Sequence, residues 1–367
     1  MNGVDRDRLY MERCLELARR GSGFVHPNPL VGCVVVRNGV VVGEGFHRRF
    51  GGPHAEVNAL KAAGRRSHGG TLYVNLEPCV HHGKTPPCSD AIIAAGIREV
   101  VVSHKDPNPL VAGRGLRKLR SAGVRVRSGI LAGEAKALNE KFISSMSTRI
   151  PFVGVKIAQT LDGRIADQQG RSKWLTSLPA RREAHRIRSM YDAVLVGATT
   201  AATDNPELTV RLVRGRNPAR VVIDPALGLR HGLRLFDTRK APTIVLTTAR
   251  ALKSKSAVAL RLERRGVQVV GVDTRQQLSA RALLTVLGSF GITSVLVEGG
   301  GVTLAHFFEE KLVRRAHWFL APAFLGGGVA SLQMTKPLSI HRGAHVIDPS
   351  FRKIGADFLI EGKVRFS

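Results

Sequence analysis

Hydrophobic side chains recur along the chain at two spacings, and the two spacings alternate. Between residues 5 and 20, Met11, Cys14 and Leu15 fall on one face at helical spacing, which predicts an opening amphipathic helix. Soon afterwards, two runs rich in β-branched residues flank Asn38-Gly39, a dipeptide typical of a two-residue β-hairpin. Helices and strands that alternate in this way predict an α/β fold, in which helices cover a sheet.

The alternation begins afresh after Arg149-Ile150-Pro151, which predicts two domains, residues 1–147 and 148–367. The strands predicted in the first domain are residues 30–37, 40–44, 71–76, 99–103 and 124–127. Its predicted helices are residues 5–20, 54–63, a segment after Cys88, 115–122 and 133–145. The strands predicted in the second domain are residues 152–158, 193–197, 220–223, 243–246, 267–272, 294–297 and 316–321. Its predicted helices are residues 179–190, 255–264, 281–289 and 302–310.

The net charge of the chain indicates which kinds of ligand or macromolecule it can bind. The sequence has 56 Lys and Arg against 28 Asp and Glu, and the resulting net charge of +28 is spread over both predicted domains. Such a charge favours phosphorylated ligands or nucleic acid. With three Tyr and two Trp, however, the chain offers little aromatic surface on which single strands could stack. The opening residues lack the apolar segment of a signal peptide, and the longest apolar run, residues 30–36, is too short for a bilayer, so we expect a cytoplasmic, soluble protein.

Three metal-ligating side chains follow the pattern of a catalytic zinc site. His54-Ala55-Glu56 opens a predicted helix, and Pro78-Cys79 and Cys88 follow a predicted strand. One imidazole and two thiolates leave the fourth position of a tetrahedral zinc ion open for water, as catalysis requires. Glu56 lies two residues from the histidine, from where it can move a proton to and from that water. The order H-x-E followed by P-C and a second cysteine is the signature of zinc deaminases, although eight residues separate the cysteines here instead of two.

The other cysteines and histidines of this region have plainer interpretations. Cys14 and Cys33 occupy apolar periodic positions and are expected in the core. His81 and His82 lie between the two ligand cysteines, where we expect them to support the loop and not to bind the metal.

Two further functions stay open on the residues alone. One is a zinc deaminase that acts on tRNA bases and uses the positive charge to bind them. The other is a basic nucleic-acid-binding protein with a structural zinc. Structural zinc is normally closed by four protein ligands, so a set of three ligands disfavours the second alternative.

The second predicted domain carries a weaker chemical signal. The strand at residues 294–297 is followed by Glu298, by Gly299-Gly300-Gly301 and then by a predicted helix. Glycines between a strand and a helix N-terminus let backbone amides approach a phosphate. The same glycines also suit a plain flexible turn, and the residues alone leave both interpretations open.

Longer motifs occur in both halves of the chain. Those of the first half are Pro78–Cys88 with its long spacer, His26-Pro27-Asn28-Pro29, His54-Ala55-Glu56 and Asp106-Pro107-Asn108-Pro109. Those of the second half are residues 155–164, Trp174, residues 204–211 and Val297-Glu298-Gly299-Gly300. Together they resemble the family of bifunctional riboflavin-biosynthesis deaminase/reductases, with Thr160 in place of a usual serine and Arg171 in place of a common acidic residue. The resemblance implies an N-terminal cytidine-deaminase-like three-layer α/β/α domain and a C-terminal dihydrofolate-reductase-like α/β domain.

The resemblance implies two reactions and two cofactors. One is the zinc-dependent hydrolytic deamination of a phosphoribosylated pyrimidine, with one Zn²⁺ per chain, and the other is the NADPH-dependent reduction of its ribosyl group to a ribityl chain. It makes His54, Cys79 and Cys88 the zinc ligands and Glu56 the catalytic proton shuttle. It further implies a homo-oligomer, a dimer or tetramer, without a specific nucleic-acid or membrane partner.

The same resemblance assigns residues to the substrates and to NADPH. The residues facing the deaminase substrate are Asn28, Lys84, Thr85, Asp106 and Asn108. The residues lining NADPH are Ala158, Trp174, Thr200, Asp204, Gly300, Gly301, Val302, Thr303, Leu304, Ala305 and His306. The residues binding the reductase substrate are Lys156, Ser172, Arg188, Leu208, Arg211 and Glu298. The planar forks of the two arginines suit a phosphate, because each can donate two parallel hydrogen bonds.

Overall fold

The chain folds into two compact units, divided between Thr148 and Arg149. The computed structural model describes residues 3–83, 85–109, 111–273 and 278–367. Among the described helices, none combines the length and the hydropathy that a membrane crossing needs.

The first unit is a three-layer α/β/α sandwich, as expected. Its strands are β1 (Gly32–Arg37), β2 (Val40–Phe46), β3 (Thr71–Val74), β4 (Glu99–Val102) and β5 (Arg125–Ser128). Its helices are α1 (Gly3–Arg19), α2 (Ala55–Ala63), α3 (Cys88–Ala94), α4 (Arg114–Ser121), α5 (Ala132–Leu138) and α6 (Glu140–Thr148). Within the described residues of this unit, five strands form one sheet in the order β2-β1-β3-β4-β5, and β3, β4 and β5 run parallel.

Apolar side chains alternate between the two faces of this sheet. Met11, Cys14 and Leu17 of α1 pack on one face against Val34 and its neighbours. Alanines of α2 and leucines of α4 pack on the opposite face, together with α3. The carboxyl ends of β3 and β4 therefore emerge between helices, where an α/β sheet usually holds its ligand.

The second unit is a larger α/β sheet with helices on both faces. Its strands are β6 (Phe152–Thr160), β7 (Arg164–Ala166), β8 (Ala193–Gly197), β9 (Ala219–Ile223), β10 (Thr243–Thr248), β11 (Val267–Val272), β12 (Ser294–Val297), β13 (Val313–Ala321), β14 (Val329–Ala330), β15 (Ala344–Ile354) and β16 (Asp357–Phe366). Its helices are α7 (Leu178–Ser189), α8 (Ala198–Asp204), α9 (Ala249–Ser254), α10 (Ser256–Glu263), α11 (Ala280–Ser289) and α12 (Gly301–Glu309). In the part of the unit that the structure describes, the main sheet has nine strands in the order β11-β10-β9-β8-β12-β6-β13-β16-β15.

The centre of the second unit is parallel and its edge is antiparallel. The seven strands from β11 to β13 pair in parallel, whereas β16 and β15 continue the sheet as an antiparallel hairpin. Helices α11 and α12 cover one face, and α7, α8, α9 and α10 cover the other. Strand β12 lies at the middle of the sheet, so the residues that follow it have the ends of β8 and β6 on either side.

The structure differs from the predicted elements at several places. Strands β7 and β14 and helices α8 and α9 are not among the predicted elements, and two further differences concern a helix of the first unit and the C-terminal hairpin. The single helix predicted at residues 133–145 is two helices, because Asn139 breaks it. The Asn139 side chain is buried, accepts the backbone N–H of Leu30 at 2.7 Å and donates to its carbonyl at 2.9 Å. The C-terminal hairpin, β15 and β16, is not among the predicted elements. Most of β15 is exposed and lacks the alternation that marks a half-buried strand, whereas β16 does alternate in burial.

Candidate active sites

The three predicted metal ligands meet at the carboxyl end of β3 in the first unit. His54 directly precedes α2, Cys79 follows β3, and Cys88 is the first residue of α3. Their ligand atoms all lie within 4.8 Å of one another, with His54 Nδ1 at 3.2 Å from Cys88 Sγ and 3.6 Å from Cys79 Sγ. Tetrahedral ligands at about 2.0 and 2.3 Å from a zinc ion are separated by roughly 3.5 Å, so the cluster fits zinc in both chemistry and spacing.

The electrostatics of this cluster favour a thiolate and a protonatable carboxyl. Hydrogen bonds from Cys88 and from His54 lower the pKa of the Cys79 thiol to about 4. Glu56 is only 3% exposed. Its burial raises the pKa of the carboxyl to about 7, although the nearby imidazole of His54 opposes the shift. The carboxyl can therefore both accept and donate a proton near neutral pH.

A cavity of about 220 Å³ opens beside the metal ligands. Among the residues that line it are His54, Glu56, Cys79, Asn28, His47, Glu77, His81, Thr85, Asp106, Asn108 and Phe142. The structure thus brings together the predicted residues of the deaminase site, except that Lys84 lies outside the described residues. Asp106 is buried and accepts the backbone N–H of Asn108 at 2.8 Å, which shapes the loop after β4.

The remaining cysteines and histidines lie outside the ligand cluster. Cys14 and Cys33 are fully buried in the core. Burial raises the pKa of both thiols, which keeps them protonated. His81 and His82 are exposed, and His81 lines the cavity without joining the ligands.

Two polar residues of the cavity were not predicted from the sequence. His47 Nδ1 donates to the carbonyl of Pro53 at 3.1 Å, and Nε2 accepts from Asn28 Nδ2 at 3.1 Å. Glu77 is 3% exposed, and its carboxylate accepts backbone N–H groups from Asp106, Gly113 and Leu116. These partners are distant in the sequence, so no local pattern indicates them. Glu77 could have been suspected from its place next to Pro78-Cys79.

Three charged side chains of the second unit meet at the carboxyl end of β12. Glu298, the first residue after β12, binds Arg188 of α7 through two hydrogen bonds of 2.7 and 2.9 Å. Lys156 of β6 adds a third charge, with its Nζ 3.6 Å from Glu298 Oε2. Burial by itself raises the pKa of Glu298, but the positive charges of Arg188 and Lys156 outweigh it and lower that pKa to about 2. The carboxylate therefore stays ionised and holds both cations.

This geometry changes the interpretation of Arg188. The sequence suggests that its planar fork meets a phosphate, but the Nε and Nη2 donors bind Glu298 and Nη1 donates to the carbonyl of Thr209 at 2.7 Å. Arg188 is buried, whereas Arg211 is exposed. The carboxylate occupies the fork because it presents the same pair of oxygens as a phosphate would.

The N-terminus of α12 offers backbone amides beside small residues. Gly300 precedes the helix and donates its N–H to Thr200 Oγ1 at 3.0 Å, and α12 has no side-chain cap. A Cβ at Gly301 would lie 2.5 Å from the carbonyl oxygen of Ala330, so this close approach requires glycine. Amides at such a terminus suit the phosphates of a dinucleotide.

The predicted cofactor residues do not all face one space. Leu304 and Ala305 point into the core, so their side chains pack the helix instead of lining a cofactor, whereas Val302 is 67% exposed. His306 pairs with Glu310 at 3.2 Å. Within residues 300–306, the N-terminal residues of α12 are therefore free to contact a ligand. The buried residues Leu304 and Ala305 hold the helix on the core.

Other predicted residues of this unit lie at the end of β6, in the segment between β7 and α7, and at or after the end of α8. Ser172 Oγ donates to Asp204 Oδ1 at 3.3 Å, which joins two of the predicted positions. Trp174 is 73% exposed, adopts a positive φ of 68°, and lies under the guanidinium of Arg181 at 4.0 Å. Leu208 also adopts a positive φ, of 55°, and is buried.

Ala158 is half-buried near the end of β6. Thr160, the last residue of that strand, donates its hydroxyl to Asp162 Oδ1 at 2.5 Å, and a serine would provide the same hydroxyl.

Comparison with known proteins agrees with both units. The family model described as RibD C-terminal domain matches residues 151–360. The model described as cytidine and deoxycytidylate deaminase zinc-binding region matches residues 4–104.

Relatives and solved structures match over nearly the whole chain. The riboflavin biosynthesis protein RibD of Aquifex aeolicus is 42% identical over 355 residues, which covers 96% of this chain and 97% of the relative. RibD of Escherichia coli is 40% identical and covers 89% and 90%. A crystal structure of a diaminohydroxyphosphoribosylaminopyrimidine deaminase/5-amino-6-(5-phosphoribosylamino)uracil reductase from Thermotoga maritima matches with a TM-score of 0.86 at 39% identity, over 100% of both chains. A structure of Acinetobacter baumannii RibD gives a TM-score of 0.88 at 34% identity, over 99% of both chains.

Proposed function

The chain belongs to the RibD family of bifunctional riboflavin-biosynthesis deaminase/reductases, and from this premise we propose its substrates and the division of labour between its units. The first unit deaminates 2,5-diamino-6-(5-phosphoribosylamino)pyrimidin-4-one to 5-amino-6-(5-phosphoribosylamino)uracil. The second unit reduces the ribosyl group of that product to the ribityl phosphate with NADPH. The observation that carries the proposal is the cluster of His54, Cys79 and Cys88, together with Glu56 in the cavity that His54 and Cys79 also line.

The deaminase residues divide into metal ligands, a proton carrier and groups that orient the base. The three ligands would hold one zinc ion, which would supply Lewis-acid activation of the attacking water. The Glu56 carboxyl would carry one proton of the attacking water to the leaving amino group and the other to the adjacent ring nitrogen, so that ammonia leaves and the ring gains a carbonyl oxygen. Asn28 and Asn108 offer amide donors and acceptors that match the edge of a pyrimidine.

The reductase residues divide in a similar way. NADPH, when bound, supplies the hydride, and the uncapped N-terminus of α12 offers amides for its phosphates. Glu298 fixes Lys156 and Arg188 at the end of β12, and Lys156 orients the sugar next to the hydride path. Arg211, with an exposed guanidinium, binds the phosphate of the substrate.

The positive charge serves these small anions. The substrate and NADPH are both negatively charged, and a net charge of +28 raises their concentration near the protein without any polymer. We therefore propose no specific nucleic-acid partner and keep a tRNA deaminase as the rival to be tested. A cytoplasmic location and a homo-oligomeric state stay predictions from the sequence.

A coupled assay tests the proposal on the full-length, zinc-loaded chain. With the diaminopyrimidine substrate and NADPH, we expect one ammonia released and one NADPH oxidised per substrate molecule, and less oxidation with NADH. The Cys79→Ala chain should release no ammonia, yet should oxidise NADPH when the deaminated product is supplied. Absence of ammonia release by the zinc-loaded chain would refute the deaminase assignment. Deamination of a tRNA at a comparable rate would favour the rival.

A further inference from the structure

Helix α7 carries a second buried polar side chain beside Arg188. His185 lies three residues earlier, on the same face of the helix, and is 5% exposed. Its Nδ1 accepts a hydrogen bond from the backbone N–H of Arg211 at 3.1 Å. His185 belongs to none of the motifs described above, and its partner lies 26 residues away in the sequence.

The backbone that leads to Arg211 is held at three successive residues. The contacts are Arg188 Nη1 to the carbonyl of Thr209 (2.7 Å), Val210 N–H to Asn217 Oδ1 (2.7 Å), and Arg211 N–H to His185 Nδ1 (3.1 Å). The side chain of Arg211 itself is exposed. The segment is therefore fixed through its backbone, while the guanidinium stays available for a ligand.

His185 can accept this hydrogen bond only as a neutral imidazole. Burial, together with the positive charges of Arg188 and Arg211, lowers its pKa to about 4. Near neutral pH the imidazole therefore carries a single proton. Because Nδ1 accepts, that proton lies on Nε2.

We propose that His185 is a positioning residue of the reductase site: it fixes the backbone of Arg211 so that the guanidinium meets the phosphate of the substrate. The inference rests on the proposed function, because it takes the reductase substrate to be a phosphate ester. Binding of a phosphate by an arginine fork depends on direction as well as distance. Loss of the backbone contact therefore weakens recognition of the phosphate and leaves the reacting end of the substrate in place.

The test compares two variants of the full-length chain on two substrates. His185→Leu removes the acceptor and leaves the Arg211 N–H unpaired, whereas His185→Asn supplies an amide oxygen close to the former position of Nδ1. The substrates are the deaminated phosphoribosylaminouracil and the same compound without its phosphate, each with saturating NADPH. Ammonia release by the first unit and the thermal midpoint of the chain serve as internal controls for folding.

For His185→Leu we expect KM for the phosphorylated substrate to rise by up to roughly 150-fold, the upper end of the range for a donor left without its partner, with kcat changed much less. We expect kcat/KM for the phosphate-free compound to stay near that of the unsubstituted chain, and His185→Asn to restore most of the loss. Equal losses on both substrates, an unchanged KM, or a His185→Asn variant as impaired as His185→Leu would overturn the inference. If the unsubstituted chain reduces neither compound, the proposed function itself fails, and the two failures are thus distinguished.

Discussion

At the scale of single residues, the two sites use carboxylates in opposite ways. Glu56 is buried beside one imidazole and keeps a pKa of about 7, so its charge changes readily. Glu298 is buried beside Arg188 and Lys156, and its pKa of about 2 keeps it ionised. Burial is the largest cause of the raised pKa of Glu56, and the charges of Arg188 and Lys156 account for the low pKa of Glu298. One carboxyl is thereby suited to move a proton, and the other to hold positive charge in place.

Replacement of Glu56 by Gln should abolish most deamination and retain the metal. The amide keeps the shape of the side chain but cannot take up the proton, and general acid–base catalysis typically contributes about 10²–10⁴-fold. The measurement is the rate of ammonia release together with zinc content. Glu12→Gln, a change at an exposed glutamate of α1, is the matched control and should leave the rate unchanged. Near-normal turnover of the Glu56→Gln chain with zinc confirmed would contradict the role.

Replacement of Arg211 by Ala should weaken the reductase and spare the deaminase. A hydrogen bond to a charged group contributes about 1.5–3 kcal/mol, which corresponds to roughly 10- to 150-fold in kcat/KM of the reductase. NADPH oxidation with the deaminated substrate measures the effect. Arg214→Ala removes the same charge from an exposed position three residues away and should have little effect. Equal losses in both variants would show that only the net charge matters.

At the scale of elements, small residues decide how closely α2 lies on the sheet. Gly43 and Gly45 of β2 face Ala59 and its neighbours on α2, and a Cβ at Gly45 would lie 2.4 Å from the backbone nitrogen of Ala59. This close contact sets the position of the N-terminus of α2, where His54 and Glu56 lie. A helix held by backbone contacts cannot shift without moving a metal ligand.

Gly45→Ala should therefore destabilise the first unit and weaken zinc binding. Overpacking against backbone typically costs about 1–3 kcal/mol, because no flexible side chain can move away. Thermal unfolding and zinc content measure the two effects. Gly133→Ala is the control, since a Cβ there meets nothing within 4 Å, and it should be neutral or slightly stabilising. A Gly45→Ala chain with unchanged unfolding and zinc content would contradict the packing argument.

At the scale of the whole molecule, the two chemistries lie in separate compact units. The metal ligands belong to the unit that ends at Thr148, and the Glu298 cluster belongs to the unit that begins at Arg149. Each unit has its own hydrophobic core, so the loss of one site need not unfold the other.

Removal of zinc by a chelator should stop ammonia release and preserve reduction of the deaminated substrate supplied directly. The reductase residues include no ligand of the metal, which is the physical reason for the independence. Parallel assays of ammonia release and NADPH oxidation on the full-length chain measure it, and restored deamination after zinc is added back is the control. Loss of both activities in a chain that remains folded would point to a single shared site.

The sequence by itself determined the α/β class and the families of both units, and it predicted the metal ligands that the structure brings together. His54, Glu56, Cys79 and Cys88 lie in short motifs whose order and residue types are dictated by zinc chemistry, so they can be recognised without coordinates. Strands such as β8 and β12 are continuous apolar runs, because a parallel strand is covered on both faces.

Only the tertiary structure decided contacts between residues that are distant in the chain. It joined Glu77 to the loop of Asp106, turned the fork of Arg188 toward Glu298, and placed His185 on the backbone of Arg211. It also broke one predicted helix at Asn139, whose side chain binds the backbone of Leu30. A side-chain hydrogen bond is set by direction in space, and hydrophobic periodicity reports only which face of an element is buried. Hydrogen-bond partners that are distant in the sequence are therefore set when the elements pack, and the spacing of residues along the chain does not predict them.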